Sequence, residues 1–419
     1  MDLKAQMQRW GALHDNRAPQ PSTGAAQGDP PLEALVPGLW VESGGLRCFT
    51  VEERYALTFR HGDAALEEIL GVPPEVWGWL AVGADRRPFD LGRAVFVDIE
   101  TTGLARGTGT YAFLVGVGTL AGDEFVLRQF FMPGYADEEA LLALLADVLR
   151  DNGGLVTFNG RAFDWPILEM RYIMARREPP CDGQPHLDLL HLSRRLWRRS
   201  LASCALSSLE RHVLRVERST SDVPGYLIPQ LYQDYLEQGR TRPLADVFYH
   251  NLVDVLSMVA LAARAGGLVS APFAPQADDS CDPYSLGALF EAQGHMAEAL
   301  QAYEKAWVEG GAYASEAARR LSFLLKRLGR HAEAMEIWQA LATQANALYP
   351  FVEMAKHLEH REKNYAGARE VTTQAVAWAT SPEAGLGRYE SRRILRELQH
   401  RLDRLDRRLQ AAGSEEEGG

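Results

Sequence analysis

Two carboxylates stand two positions apart in the otherwise apolar run FVDIETTGL, residues 96–104. A strand alternates its faces with period two, so Asp98 and Glu100 emerge on one side while Val97 and Ile99 point to the other. Like charges that close raise each other's pKa and are costly to take out of water unless a cation or several donors hold both ionised. A bound divalent metal relieves that cost, as does a half-exposed edge strand with solvated acids. Two further segments add weight to the metal. In TFNGRAFDWPIL, Asp164 follows an Asn-Gly turn and Phe163 where a helix begins. In YHNLVDVLSM, Asp254 lies inside a helical apolar pattern of Leu252, Val255, Leu256 and Val259, where an unpaired carboxylate is poorly tolerated.

These acids need elements to hold them. Residues 94–100, 111–120 and 124–132 read as strands, rich in Val, Phe and Leu and separated by Gly-containing turns. The period then changes: DEEALLALLADVLRDNG, from Asp137, reads as a helix with acids in its first turn, and GLVTF as a short buried strand. A helix from about Trp165, a strand near 186–190 and helices near 191–200 and 207–215 complete an alternating α/β unit, with Ser207 and Glu210 as a capping box. GVGTLA, residues 116–121, fits the dinucleotide fingerprint in form, but a strand follows it rather than a helix, so its glycines serve a hairpin.

On either side the composition shifts. Residues 1–34 include RAPQPSTGAAQGDPP, too small and polar to offset chain entropy, and read as a disordered arm. Residues 35–90 look globular, with Trp40, Phe49, Tyr55, Trp77 and Trp79 as core aromatics, but carry no chemical motif. After a linker at 271–283, Gly294, Ala299, Tyr303 and Ala306 recur as Gly329, Ala334, Trp338 and Leu341, then more faintly as Lys363, Ala368, Thr372 and Ala375. That period fits tetratricopeptide-like repeats over 284–385, with a plain helical bundle as the other arrangement. Residues 386–419 read as a charged helix and an acidic tail.

The 419 residues suit roughly two to three domains. The four cysteines, Cys48, Cys181, Cys204 and Cys281, form no C-x-x-C pair, which argues against a structural zinc site or a disulfide framework. A net charge of −12 disfavours a nucleic-acid binder with evenly spread charge, yet Arg171, Arg176, Arg177, Arg194, Arg195, Arg198 and Arg199 crowd one segment and allow a basic face. No apolar run of bilayer length and no secretory signal are read, so the expected compartment is the cytoplasm, with no membrane partner.

In order and spacing, the Asp-x-Glu strand, the Asn-x-x-x-x-Asp segment and the helix-borne Asp254 resemble the DEDD exonuclease branch of the ribonuclease H-like superfamily, over about residues 91–265. With the repeats, the chain resembles bacterial ribonuclease H-like proteins that carry tetratricopeptide repeats. The resemblance implies an α/β ribonuclease H-like mixed sheet flanked by helices, followed by an all-α tetratricopeptide-like solenoid. It also implies a two-metal 3′→5′ exonuclease acting on single-stranded DNA or RNA. By position, Asp98 would bridge both ions, Glu100 and Asp254 would help bind the ion that activates water, and Asp164 would act through an intervening water. Oxygen-only ligands favour two Mg²⁺ or Mn²⁺ over zinc.

Members of that branch carry Tyr four residues, or His five residues, before the last Asp, whereas this chain has His250 at minus four and Tyr249 at minus five. Positions four apart share a helix face, which favours His250 as general base and leaves Tyr249 as the alternative. Asn159 and Gly160 either admit a sugar-phosphate backbone or form a simple turn. Thr101, Arg194 and Arg195 join them as expected substrate contacts, while Trp197 reads as core and Asp188 as structural, paired with Arg194 or Arg195. SDVPGYLIP, residues 221–229, carries no assigned role. The other functional reading is a non-catalytic adaptor that binds nucleic acid and recruits protein through its repeats, and a protein partner is expected in both readings.

Overall fold

Period-two alternation and β-branched residues build one sheet around the run that carries the acids. The computed structural model describes residues 29–43, 45–81, 88–103, 107–150, 152–181, 183–219, 222–274, 280–344 and 347–416. Its strands are β1 (Leu39–Ser43), β2 (Leu46–Ala56), a small hairpin of β3 (Arg60–His61) and β4 (Ala64–Ala65), then β5 (Val95–Thr101), β6 (Ala112–Ala121), β7 (Glu124–Phe131), β8 (Leu155–Thr157) and β9 (His186–Asp188). The large sheet has seven strands in the order β1-β2-β7-β6-β5-β8-β9. Pairing is antiparallel from β1 through to β5, and parallel from β5 to β8 and β9. Parallel neighbours need a crossover, and α2 (Glu138–Leu149) and α3 (Asp164–Met174) supply them; α1 (Pro74–Leu80) precedes β5, and α4 (Leu189–Trp197) follows β9.

The middle position of β5 explains its composition. Val95, Phe96, Val97 and Ile99 are buried, as expected of a strand covered on both faces. α5 (Ile228–Gln238) leads into α6 (Arg242–Ser270), which packs on β5 and β6 over the face bearing Asp98 and Glu100. By length and composition α6 could cross a membrane, a feature the sequence reading did not register. Its apolar window is 83% buried inside the protein, however, so it is a core helix.

Glycines in β6 make room for that packing. A Cβ on Gly116 would sit 2.2 Å from Asn251 Oδ1 on α6, and one on Gly118 would meet the Phe125 ring at 2.1 Å. Gly116→Ala is therefore expected to destabilise the fold by about 1–3 kcal/mol, since overpacking forces backbone shifts; a denaturant titration measures it, and unchanged stability would contradict the close approach.

Residues 35–90 add β1 and β2 to the sheet, with β2 pairing along β7 from Phe49↔Phe131 to Ala56↔Glu124. Of the expected arm, residues 1–28 lie outside the described residues. Residues 29–34 pack on the domain: Leu32 is buried, Thr241 Oγ1 donates to the Pro30 carbonyl at 2.6 Å, and Asp29 pairs with Arg242. Part of the linker expected at 271–283, residues 275–279, also lies outside them. All four cysteines are free thiols.

Residues from Pro283 onward form a second compact unit. Its helices are α7 (Pro283–Gln293), α8 (Met296–Glu309), α9 (Ala314–Arg327), α10 (His331–Thr343), α11 (Tyr349–His357), α12 (Tyr365–Thr380) and α13 (Arg388–Glu416). The repeat reappears as geometry. Gly294, Gly329 and Lys363 all take left-handed conformations, φ 86°, 78° and 57°, just before α8, α10 and α12. Ala299, Tyr303 and Ala306 are buried, as are Ala334, Trp338 and Leu341, then Ala368, Thr372 and Ala375. Gly287 admits Tyr303, whose ring would lie 2.6 Å from a Cβ there.

Candidate functional site

Strand alternation delivers Asp98 and Glu100 to the α6 face of the sheet, and three further elements complete the site. The turn after β8 bends at Asn159, φ 65°, and is clamped by Asp188 from β9, which accepts from the backbone amides of Asn159 at 2.9 Å and Arg161 at 3.2 Å. Asp188 also caps α4 through Leu190 N, so backbone amides satisfy it, not Arg194 or Arg195 as expected. A Cβ on Gly160 would meet the Thr157 side chain at 2.4 Å, so this glycine serves a tight turn that aims Asp164 at the start of α3. α6 brings His250 and Asp254 on one face, with His250 Nε2 3.7 Å from Asp254 Oδ2 and 3.9 Å from Glu100 Oε1.

The four acids feel one another. Burial first, then the carboxylates of Asp254, Glu100 and Asp164, hold Asp98 well above the usual range, against a hydrogen bond from Asn251. Burial pushes Glu100 up to about 8; His250 opposes it, and Asp254 and Asp164 reinforce it. Asp164 rises to about 7, again from burial, although its own amide and that of Ile99 pull it down. Asp254 is raised by burial despite Arg218.

These shifts have a sign that can be measured. Folded-state pKa values above the unfolded ones mean that the folded protein keeps protons the unfolded chain has released, so stability falls as pH rises from about 4.5 towards 8. Melting in a chelating buffer should show this decline, and added Mg²⁺ should restore stability more at pH 8 than at pH 5. A flat profile would mean that the charges are already compensated.

Arg218 supplies part of the compensation. Its guanidinium grips Asp254, donates to both oxygens of Glu210 at 2.7 and 2.6 Å, and lies 3.4 Å from Asp222. Among the described residues, no group of three or more His, Cys, Asp or Glu side chains stands close enough to hold a metal ion as they now lie. The expected ligands Asp98, Glu100 and Asp254 gather on the α6 face, with the Arg218 guanidinium on Asp254 and the His250 imidazole 3.7 Å from Asp254 and 3.9 Å from Glu100. Their chemistry fits a hard divalent ion, since the donors are carboxylate oxygens gathered on one face, their pKa values raised by burial and by one another's charge.

The two general-base candidates have different partners. His250 Nδ1 meets Asp222 Oδ1 at 2.8 Å, leaving Nε2 towards Glu100 and Asp254. Burial would lower the His250 pKa, but the bond to Asp222 and the charges of Asp254 and Glu100 hold it up at about 9. The Tyr249 hydroxyl instead accepts from Ser219 N at 3.1 Å.

Several expected contacts are not brought to the acids. The Thr101 hydroxyl, beyond a bulge in β5, donates to the Gly103 carbonyl at 2.8 Å. Arg195 donates to the Leu80 carbonyl, Arg194 is exposed, and Trp197 is core. The basic segment is partly spent internally, Arg171 on Glu138 and Arg177 on Glu139. The Ser207–Glu210 capping box is absent, because Glu210 opens a π-helical turn and directs its carboxylate to Arg218 and Ser257.

Sequence reasoning missed Asn251. Fully buried, it donates to Asp98 Oδ2 at 2.8 Å while accepting from Gln129 Nε2 at 2.9 Å, which fixes the Asp98 carboxylate. A polar residue one turn before Asp254 in an apolar helix was the available signal, since a buried amide must find partners. Asp222 was missed too, inside the stretch left without a role; Ser221 lies outside the described residues.

The chain matches the RNase_H superfamily over residues 95–265. It is 31% identical over 341 residues to the uncharacterised protein YprB of Bacillus subtilis strain 168, covering 79% of this chain and 80% of that one. A family B DNA polymerase from the archaeon Pyrobaculum calidifontis is similar at 18% identity with a TM-score of 0.35, over 53% of this chain. This chain spans only 30% of that polymerase, and a likeness so slight carries no argument.

Proposed function

Because this chain belongs to the family of the Bacillus subtilis protein YprB and carries an RNase_H superfamily domain at residues 95–265, we propose that it is a divalent-metal-dependent nuclease, specifically a 3′→5′ exonuclease on single-stranded DNA or RNA. The observation that carries this reading is the convergence of Asp98, Glu100, Asp164 and Asp254 from three separate segments, with His250 against them. Asp98, Glu100 and Asp254 would hold Mg²⁺ or Mn²⁺, with Asp164 beside them. When bound, a pair of such ions supplies Lewis-acid stabilisation of the attacking and leaving oxygens.

The chain's own groups do the rest. Asp222 holds His250 Nδ1, which fixes the tautomer and leaves Nε2 to take a proton from water. Asn251 holds Asp98 in one orientation. The bond to Asp222, then the charges of Asp254 and Glu100, hold His250 protonated, and positive charge beside those two carboxylates would weaken that hold and favour the neutral base.

One observation favours the adaptor reading: Arg218 already occupies Asp254, and no three-donor ion cradle stands ready among the described residues. In either reading the helical unit is a tetratricopeptide-like platform for a protein partner, its groove floored by Leu300, Trp307, Leu321 and Ile337 and edged by Glu304 and Glu336. End-labelled single- and double-stranded DNA and RNA, incubated with Mg²⁺, Mn²⁺ or chelator, decide between them. Metal-dependent shortening from the 3′ end supports the nuclease; binding without cleavage of any substrate supports the adaptor.

A further inference from the structure

Arg218 belongs to no sequence motif, yet its guanidinium joins two halves of the site. On one side Nε and Nη2 donate to the two oxygens of Glu210, a bidentate pair at 2.7 and 2.6 Å. Glu210 is 1% exposed and braced by Ser257 Oγ at 2.6 Å, which His61 Nε2 meets at 2.8 Å. On the other side Nη2 grips Asp254, while Nη1 lies 3.3 Å from His250 Nδ1 and 3.4 Å from Asp222.

Two consequences follow from this asymmetry. The anchor on Glu210 does not depend on Asp254, so the guanidinium stays at the site if Asp254 lets go. Its grip on Asp254 Oδ1 puts positive charge on a carboxylate that an arriving ion would need. A planar fork released from one carboxylate and still clamped by another matches phosphate oxygens in both shape and charge.

We propose that Arg218 is an exchangeable counter-cation. It neutralises Asp254 in divalent-free protein, yields Asp254 to an arriving divalent ion, and then holds a non-bridging oxygen of the substrate phosphodiester while remaining clamped to Glu210. This rests on the nuclease reading above.

The test is Mn²⁺ binding to the full chain, followed by the paramagnetic resonance of free Mn²⁺, in wild type, R218K and R218Q, with folding checked by circular dichroism. R218Q should bind Mn²⁺ about tenfold more tightly, the scale of one charge-assisted hydrogen bond, with R218K in between. At saturating Mn²⁺, kcat on a labelled single-stranded oligonucleotide should nevertheless fall in both. A purely structural role would not tighten metal binding while slowing turnover. Unchanged or weaker Mn²⁺ binding in a folded variant overturns the proposal, as does undiminished kcat, and R218K alone decides if R218Q does not fold. Wild type that neither binds Mn²⁺ nor cleaves would overturn the nuclease reading itself, and this proposal with it.

Discussion

Asp98→Asn is expected to lower kcat/KM on an end-labelled single strand by about 10³-fold or more, the scale of losing the several kcal/mol that metal-ion stabilisation supplies. Asparagine is the informative replacement. It keeps an oxygen that can accept from Asn251 Nδ2, so the α6–β5 contact survives while one negative charge disappears. The same substitution should make divalent-free protein more stable at pH 8, because it relieves a buried repulsion to which Asp254, Glu100 and Asp164 all contribute. Activity and stability therefore move in opposite directions, the mark of a group kept for chemistry rather than for folding. Full cleavage by Asp98→Asn would place the reaction elsewhere on the molecule.

His250→Gln is expected to reduce kcat by about 10²–10⁴-fold, the usual contribution of a positioned general base. Tyr249→Phe should stay within a few-fold of wild type, because its hydroxyl accepts from the Ser219 amide while His250 Nε2 faces Glu100 and Asp254. The two substitutions bear on neighbouring positions of one helix, so the comparison controls for local disturbance of α6. A loss confined to Tyr249→Phe would reverse the assignment and make the Asp222–His250 pair structural. Asp222→Asn should weaken turnover without abolishing it, since it disturbs the orientation of His250 but leaves the imidazole in place.

The legible parts of the site were those with a local period. Asp98 and Glu100 share a face because strands repeat every two residues, and His250 and Asp254 share one because helices return after four. The sheet between 94 and 132 and the helical character beyond 283 were legible for the same reason. Arg218, Glu210, Ser257 and His61 were not, because each gains its meaning from a partner remote in sequence: Arg218 with Asp254, Ser257 with Glu210, His61 with Ser257. No spacing rule links such residues. Gly116 shows the opposite failure, where a familiar pattern suggested phosphate binding and the rejection was sound, yet the physical cause, clearance for Asn251, lay on another element. Residues 35–90 lacked a motif for a comparable reason: what they contribute, strand pairing along β7 and His61 against Ser257, depends on partners remote in sequence.

The ladder between β2 and β7 bears on how the RNase_H superfamily region can be handled in isolation. A fragment cut to the span of the chemical motifs, beginning near residue 91, would strip β7 of its neighbour along Glu124–Phe131 and leave a row of unpaired amides and carbonyls beside Phe125, Phe130 and Phe131. Such a rim invites edge-to-edge association between molecules. A fragment that keeps β7 covered therefore begins before β2, well upstream of Asp98.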